Sequence, residues 1–276
     1  MSRESLPPFP AALPPGVRHV RGMDKLPAAA LHSCLDYLVP PEFSSHYGLS
    51  LEGGWEPHGR GVYRFGEGAK ESSLRIEVWP DPVGEDPAYV LELADVYPGH
   101  LEASWIVLND IRSPRYDVDR TPEGEPIPFG SERRNIAEEI RALRAGLAPN
   151  QIRTGIRGFA PLIARIEGFA AAIEAELLYV VPLEYHNAVK YEQYGFTYAS
   201  GRQEMEWIHA QFAPGGVLAA RMDASRPFRM PEMCGTIRGR SWAVHDGVLE
   251  RRWMAPRMFK IPGEKSGLTT FPGAVW

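Results

Sequence analysis

Two cysteines in 276 residues, Cys34 and Cys234, leave no room for a disulfide framework or a cysteine-built metal cluster. They stand far apart, with no CxxC spacing and no secretory leader, which predicts reduced thiols in a cytoplasmic protein. No apolar run approaches the roughly 20 residues needed to span a bilayer; the longest, 170–173 and 177–183, are a handful each, so no membrane is expected. Basic charge is also short: the formal net charge is -5, and phosphate neutralisation needs a concentrated cationic surface, so nucleic acid is not an expected partner. Gly-x-Ser-x-Gly, a Walker loop, a dinucleotide fingerprint and HExxH are all missing, as are internal repeats. What remains is ordinary globular composition, 44% hydrophobic and 24% charged, in a chain long enough to bury a sizeable core.

Three regions follow from the pattern. Five prolines in residues 1–16 predict an extended arm, because proline supplies no ladder donor and breaks helices. Residues 17–212 form the expected core. Leu26, Ala30, Leu31, Cys34, Leu35 and Leu38 share one helical face, and the helix stops before "VPPEF". From 61 to 110 the period becomes two: "GVYRF", "LRIEVWP", "AYVLELADV" and "LEASWIVLND" read as four antiparallel strands, the last two joined through "VYPGHLEA". A loop and helix at 112–149 read as an insertion, the helix capped by Ser131 and stopped at Gly146 and Pro149. Ile152, Ile156, Phe159, Ile163, Ile166, Ala170 and Ile173 continue a helical stripe, which Pro161 either kinks or restarts near 160. "ELLYVVPL" reads as a central strand, and "FTYASGRQEMEWIHAQF" as two more strands around a Ser-Gly turn. Residues 213–276 lose periodicity and read as a loop-rich extension that either wraps the core or exchanges with a second copy as a homodimer contact. The class is α/β, with a mixed, mainly antiparallel sheet flanked by helices.

Strand meander, helix, buried strand, polar helix and then Tyr191-Glu-Gln-Tyr-Gly195-Phe196 resembles the GNAT superfamily of N-acetyltransferases, over roughly Gly61 to Phe212. The resemblance implies a sheet splayed between its fourth and fifth strands, with acetyl-CoA or another acyl-CoA in the gap as co-substrate and a small-molecule amine as acceptor. It implies that Tyr191 reprotonates the leaving CoA thiolate. A base is implied on the fourth strand or its neighbours, where Glu102, Asp110 and Glu92 are available. The family holds pyrophosphate on a Gln/Arg-x-x-Gly-x-Gly/Ala turn at a helix start, where bare amides meet phosphate oxygens. This chain offers Arg153, Gly155, Arg157 and Gly158 for that task, out of register. These four residues are either a basic solvent face in mid-helix or, if the helix begins near Gly158, a cradle. The insertion is a second departure, and Glu184 and Asn187 stand where the family usually has Asn and Ala.

Two other constellations stand beside this one. Glu184 and His186, joined by Asp117 and Asp119 or by His209, could converge as a His/carboxylate metal site serving a metal-assisted enzyme; the plainer reading is a helix start capped by Glu184 or Asn187. Arg221, Arg226, Arg229, Arg238 and Arg240, closing on Trp242, His245 and Asp246, suit an anionic-ligand pocket or a polar subunit interface equally well. With Arg112 to Asp119 they would let a GNAT-like fold without CoA chemistry bind another anion. Cys234 reads as an inert buried thiol.

Overall fold

The computed structural model describes residues 6–10, 13–14, 17–51, 54–55, 60–66, 72–128 and 130–276; part of the expected N-terminal arm therefore lies outside the described residues. A 3-10 turn at Val20–Lys25 precedes α1 (Ala28–Leu38) and α2 (Pro41–Tyr47), followed by β1 (Gly61–Phe65), β2 (Ser73–Val78), β3 (Tyr89–Tyr97) and β4 (His100–Leu108). Next come α3 (Ile136–Arg144), α4 (Phe159–Ala172), β5 (Leu177–Val180), α5 (Tyr185–Gln193), β6 (Thr197–Ser200), α6 (Arg202–Gln211) and α7 (Val217–Ala220). A 3-10 turn at Pro231–Gly235, α8 (Ile237–His245) and β7 (Arg257–Lys260) complete the chain. The protein is α/β, with one seven-stranded mixed sheet in the order β1-β2-β3-β4-β5-β7-β6, mostly antiparallel. Two compact units are built from interleaved segments: Met1–Ile111, Gly155–Val180 and Phe259–Ser266 form the first, and Arg112–Thr154, Val181–Met258 and Gly267–Trp276 the second.

In the first unit the four-strand meander is the one the period of two predicts, with β3 turning into β4 at Gly99, whose φ of +74° suits glycine. Alternation sends Leu74, Ile76, Tyr89, Leu91 and Leu93 into a core that α1 and α4 share. The Tyr89 hydroxyl donates to Leu38 O at 2.6 Å, so the end of α1 is tied to β3. The opposite face of the sheet is also buried, yet polar: Arg75 pairs with Glu77 at 2.7 Å and Glu92 at 3.3 Å, and Trp79 donates to Glu77. The described part of the arm lies on this unit, where Pro7 O accepts from the Tyr37 hydroxyl and Phe9 packs on Tyr37 and Phe169.

The second unit has its own core, in which Val118, Ala142, Leu143, Leu147, Phe228 and Trp242 cluster. Trp242 stacks on Phe228 and donates to Leu147 O at 2.8 Å. Three expectations change, and one open alternative, the second below, is decided. First, the inserted helix begins at 136, capped by Asn135 rather than Ser131, because Arg134 is held by Glu139 and Asp246 ahead of the first turn. Second, the stripe from 152 to 173 is not one helix. Glycines 155 and 158 each disfavour helix by about 1 kcal/mol, and Pro161 fits only a first turn, so α4 starts at Phe159. Third, "GRQEMEWIHAQ" is α6 and not a strand, since Met205, Ile208 and Phe212 bury one helical face. Fourth, the C-terminal extension contains α8, whose Ile237, Gly239, Arg240, Ser241, Trp242, Ala243 and Val244 are all buried; a helix covered all round carries no stripe to read.

Candidate functional site

β4 and β5 run parallel and pair at His100↔Leu177, Leu101↔Leu178 and Glu102↔Tyr179. There the pairing stops, while β4 continues to Leu108. Against β3, Glu92 faces Trp105 and Leu93 faces Ala103, which leaves Ser104 as an extra residue in β4. A bulge of this kind bends its strand and strengthens its twist, so β4 turns away at the point where β5 ends. The bulge is pinned by Ser104 Oγ donating to Glu92 Oε1 at 2.9 Å. Beyond it, the β4 edge from 103 to 107 carries no strand partner on the β5 side among the described residues. At the far end that edge is met again: Asn109 bridges Gly155, and Ile156 N donates to Leu108 O at 3.1 Å. A Cβ on Gly155 would stand 3.3 Å from Leu108 O, which is why glycine serves there. Three residues past Gly155, Gly158 stands at the N-cap position of α4.

That helix start is bare. Gly158 has no side chain to cap it, no acidic residue occupies the first turn, and Pro161 has no N–H. Ala160 N has no intrahelical acceptor at the positive end of a helix of 14 residues. Exposed Arg157 precedes the helix. Of the expected phosphate-binding residues, Gly155, Arg157 and Gly158 belong to this turn, and the mid-helix solvent face is excluded. Arg153 does not join them in the first unit; in the second, its guanidinium donates to Ser113 O at 2.6 Å.

The expected carboxylates separate by position. Glu102 is 9% exposed and occupies the last paired position of β4, on the same face as Glu92. Asp110 lies past the strand and pairs with His46 at 3.4 Å. Tyr191 is inside α5 in the second unit, its ring edge-on to Phe196 and its phenol pushed to a higher pKa by burial. As the Tyr-to-Gly-Phe spacing predicts, Gly195 takes a φ of +88° and Phe196 N returns to Tyr191 O at 3.1 Å.

Glu184 and His186 do not converge. His186 Nδ1 meets Ser241 Oγ at 2.8 Å, and burial, then Lys190 and His245, lower its pKa to about 3. Glu184 turns instead to Asn150 Nδ2 at 2.6 Å and His245 Nδ1 at 3.5 Å. Asp117 and Asp119 are both held by Arg115, and His209 Nδ1 meets Arg240. No cluster of three metal-ligating side chains occurs among the described residues. The five arginines do not form one cluster: Arg221 reaches Val248 O and Glu250, Arg226 and Arg229 reach Asp246, Arg238 caps Leu143 O, and Arg240 reaches Cys234 O, while Arg226 and Arg238 line one concavity. Burial, outweighing Arg240, raises the Cys234 pKa, which keeps it a thiol.

What sequence reasoning missed in this unit is a charged chain. His245 lies between Glu184 and Glu139, its Nε2 at 3.3 Å from Glu139 Oε1. Arg134 links Glu139 to Asp246, which is 1% exposed and takes Arg134, Arg226 and Arg229 together. Burial alone would lower the His245 pKa; hydrogen bonds and charge from Glu139 and Glu184 raise it to about 9. Glu139 was legible in principle: it occupies the helical position between Ile136 and Leu143 and is 3% exposed, whereas Ile136 is 43% exposed.

No protein-family model, curated protein or solved structure matches this chain.

Proposed function

We propose that the chain is an acyltransferase of the GNAT type, which moves an acyl group from an acyl-CoA thioester to a small-molecule amine. One observation carries the reading: β4 and β5 part at the Ser104 bulge, and the edge so opened ends at an uncapped helix start at Gly158. The open edge of β4 runs for roughly 16 Å at ordinary strand rise. It offers backbone groups to the amides of an extended arm, as an added strand would. The helix start offers Ala160 N and the positive end of its dipole to a pyrophosphate, with Arg157 as counter-charge. With α4 beginning at Phe159, the Gly-x-Gly/Ala part of the family turn falls on Gly158 and Ala160, and Gly155 stands where the family has Gln or Arg.

In the reaction the amine nitrogen attacks the thioester carbonyl, the C–S bond breaks and the amide forms. Glu102, where the gap opens, takes the proton lost by the amine. The proton that the thiolate takes is assigned to Tyr191 by the resemblance alone; its raised pKa keeps the phenol protonated at neutral pH.

Thermal denaturation with acetyl-CoA tests the reading. Millimolar acetyl-CoA should raise the midpoint of the wild type, because a ligand bound only by the folded state stabilises it. Ala160→Asp complements the helix dipole but repels pyrophosphate, so the unliganded midpoint should hold or rise while the acetyl-CoA shift is lost. Tyr191→Phe should keep the shift and slow the release of free thiol when acetyl-CoA is supplied with a panel of amines. A wild type that does not respond to acetyl-CoA, or a shift that survives Ala160→Asp, would remove CoA from this gap.

A further inference from the structure

We propose that the second unit carries a separate binding site for a small organic anion with an apolar body. The site is a shallow, open concavity of about 500 Å³ lined by Arg144, Arg226 and Arg238 together with Leu143, Met230 and Met233. Its charge is unbalanced. Among the described residues Asp246 is the one carboxylate that reaches any of these three arginines, through Arg226 at 3.3 Å, and it is already bound by Arg134 at 3.0 Å and Arg229 at 2.9 Å. Asp246 thus divides its charge among Arg134, Arg226 and Arg229, of which Arg134 also pairs with Glu139. Arg238 donates to the Leu143 carbonyl at 2.9 Å, a contact that leaves its charge and its remaining N–H groups unspent. Arg144 is exposed, and among the described residues neither it nor Arg238 is paired with a carboxylate. This cationic excess sits in a protein whose net charge is -5.

The rest of the lining has the opposite character. Met233 packs against the Trp242 and Phe228 cluster, and Met230 and Leu143 line the same concavity. Unbranched, polarizable methionine side chains adapt to varied apolar shapes. Guanidinium forks recognise carboxylate, sulfonate or phosphate oxygens. A lining that joins guanidinium forks to adaptable apolar side chains selects a ligand having both parts, and it disfavours a bare inorganic ion or a neutral hydrocarbon. The site uses residues that the acyl-transfer reading does not.

Fluorescence titration with 8-anilinonaphthalene-1-sulfonate tests the inference, with N-phenyl-1-naphthylamine as the probe of like shape lacking the anion. The wild type should bind the sulfonate at least ten-fold more tightly than the neutral amine. Displacement by 1-naphthoate would identify a carboxylate ligand class, and displacement by 1-naphthyl phosphate a phosphate class. R144E should weaken the sulfonate by ten-fold or more and leave the neutral probe unchanged. Arg144 makes no contact whose loss would unfold the protein, and the more exposed Arg226, as R226Q, gives a second reading in the same direction. Equal sulfonate affinity in the wild type and both variants would overturn the site, as would a neutral probe that binds as tightly as the anion. Acetyl-CoA at saturation should not displace the sulfonate; full displacement would place the dye elsewhere and overturn the proposal.

Discussion

His245 is the residue whose environment differs most from what its position in the sequence suggests. Its ring joins two carboxylates contributed by α3 and by the residue before α5, and it is protonated across the neutral range. A folded pKa of about 9 against an ordinary 6.5 means that folding takes up a proton between those values. The stabilisation is complete below pH 6.5 and is lost as pH rises through 9; its ceiling is on the order of 3 kcal/mol. Glu139 works in the opposite window: burial opposes its charge, but His245 and Arg134 lower its pKa, so its contribution is lost as pH falls below the carboxylate range. His245→Gln should lower the urea midpoint at pH 6 and flatten its decline between pH 6.5 and 9; an undiminished decline would assign that window to another group. In the sequence His245 and Asp246 stand out among arginines, yet their partners Glu139 and Arg134 lie more than a hundred positions away. No spacing rule joins residues across that distance, because only packing sets their approach.

Elements were legible wherever one face is buried and the other wet. The meander β1 to β4, α1 and the Gly195 cap follow from periodicity and turn chemistry within a few residues. Legibility failed at α8, which is buried all round, and at α6, where a short polar run satisfies both periods. It was left open at α4, since Ile152 and Ile156 continue the helical spacing although their backbone is not helical. That segment is fixed instead by bonds to distant backbone, from Ile156 N to Leu108 O and from Tyr116 N to Ile152 O. Within α4, Gly168 reports how closely the helix meets α1. A Cβ there would lie 2.1 Å from the Tyr37 hydroxyl and 3.0 Å from Pro7 O. Alanine in a helix interior ordinarily gains about 1 kcal/mol over glycine, but Gly168→Ala should instead cost about 1–3 kcal/mol through overpacking. Tyr37→Phe in the same chain should return part of that loss. Chemical denaturation of the two single variants and the double measures the coupling, and additive losses would mean that the hydroxyl is not the obstacle.

At the scale of the whole chain, the first unit takes its last segment from near the C-terminus. Lys260 Nζ reaches Glu167 Oε1 at 2.6 Å with both side chains at most 2% exposed, and Gly263 N donates to Glu167 Oε2 at 2.8 Å. Removing one partner of such a pair strands a buried charge, so Lys260→Met should cost about 3–5 kcal/mol. Lys260→Met with Glu167→Gln removes the charge and keeps an acceptor for Gly263, and should recover most of that loss. Failure of the double variant to recover would mean that the ion pair is not what the first variant breaks. The sequence by itself determined the class of the fold, the meander, the Tyr-to-Gly-Phe helix end and the shortage of basic charge and long apolar runs, because these depend on local periodicity, turn residues and composition. Tertiary structure alone decided that α4 begins bare at Gly158, that β4 leaves β5 at Ser104, and that Glu139, Glu184 and His245 meet. Each of these depends on which distant backbone or charge a residue faces, and local spacing does not encode that.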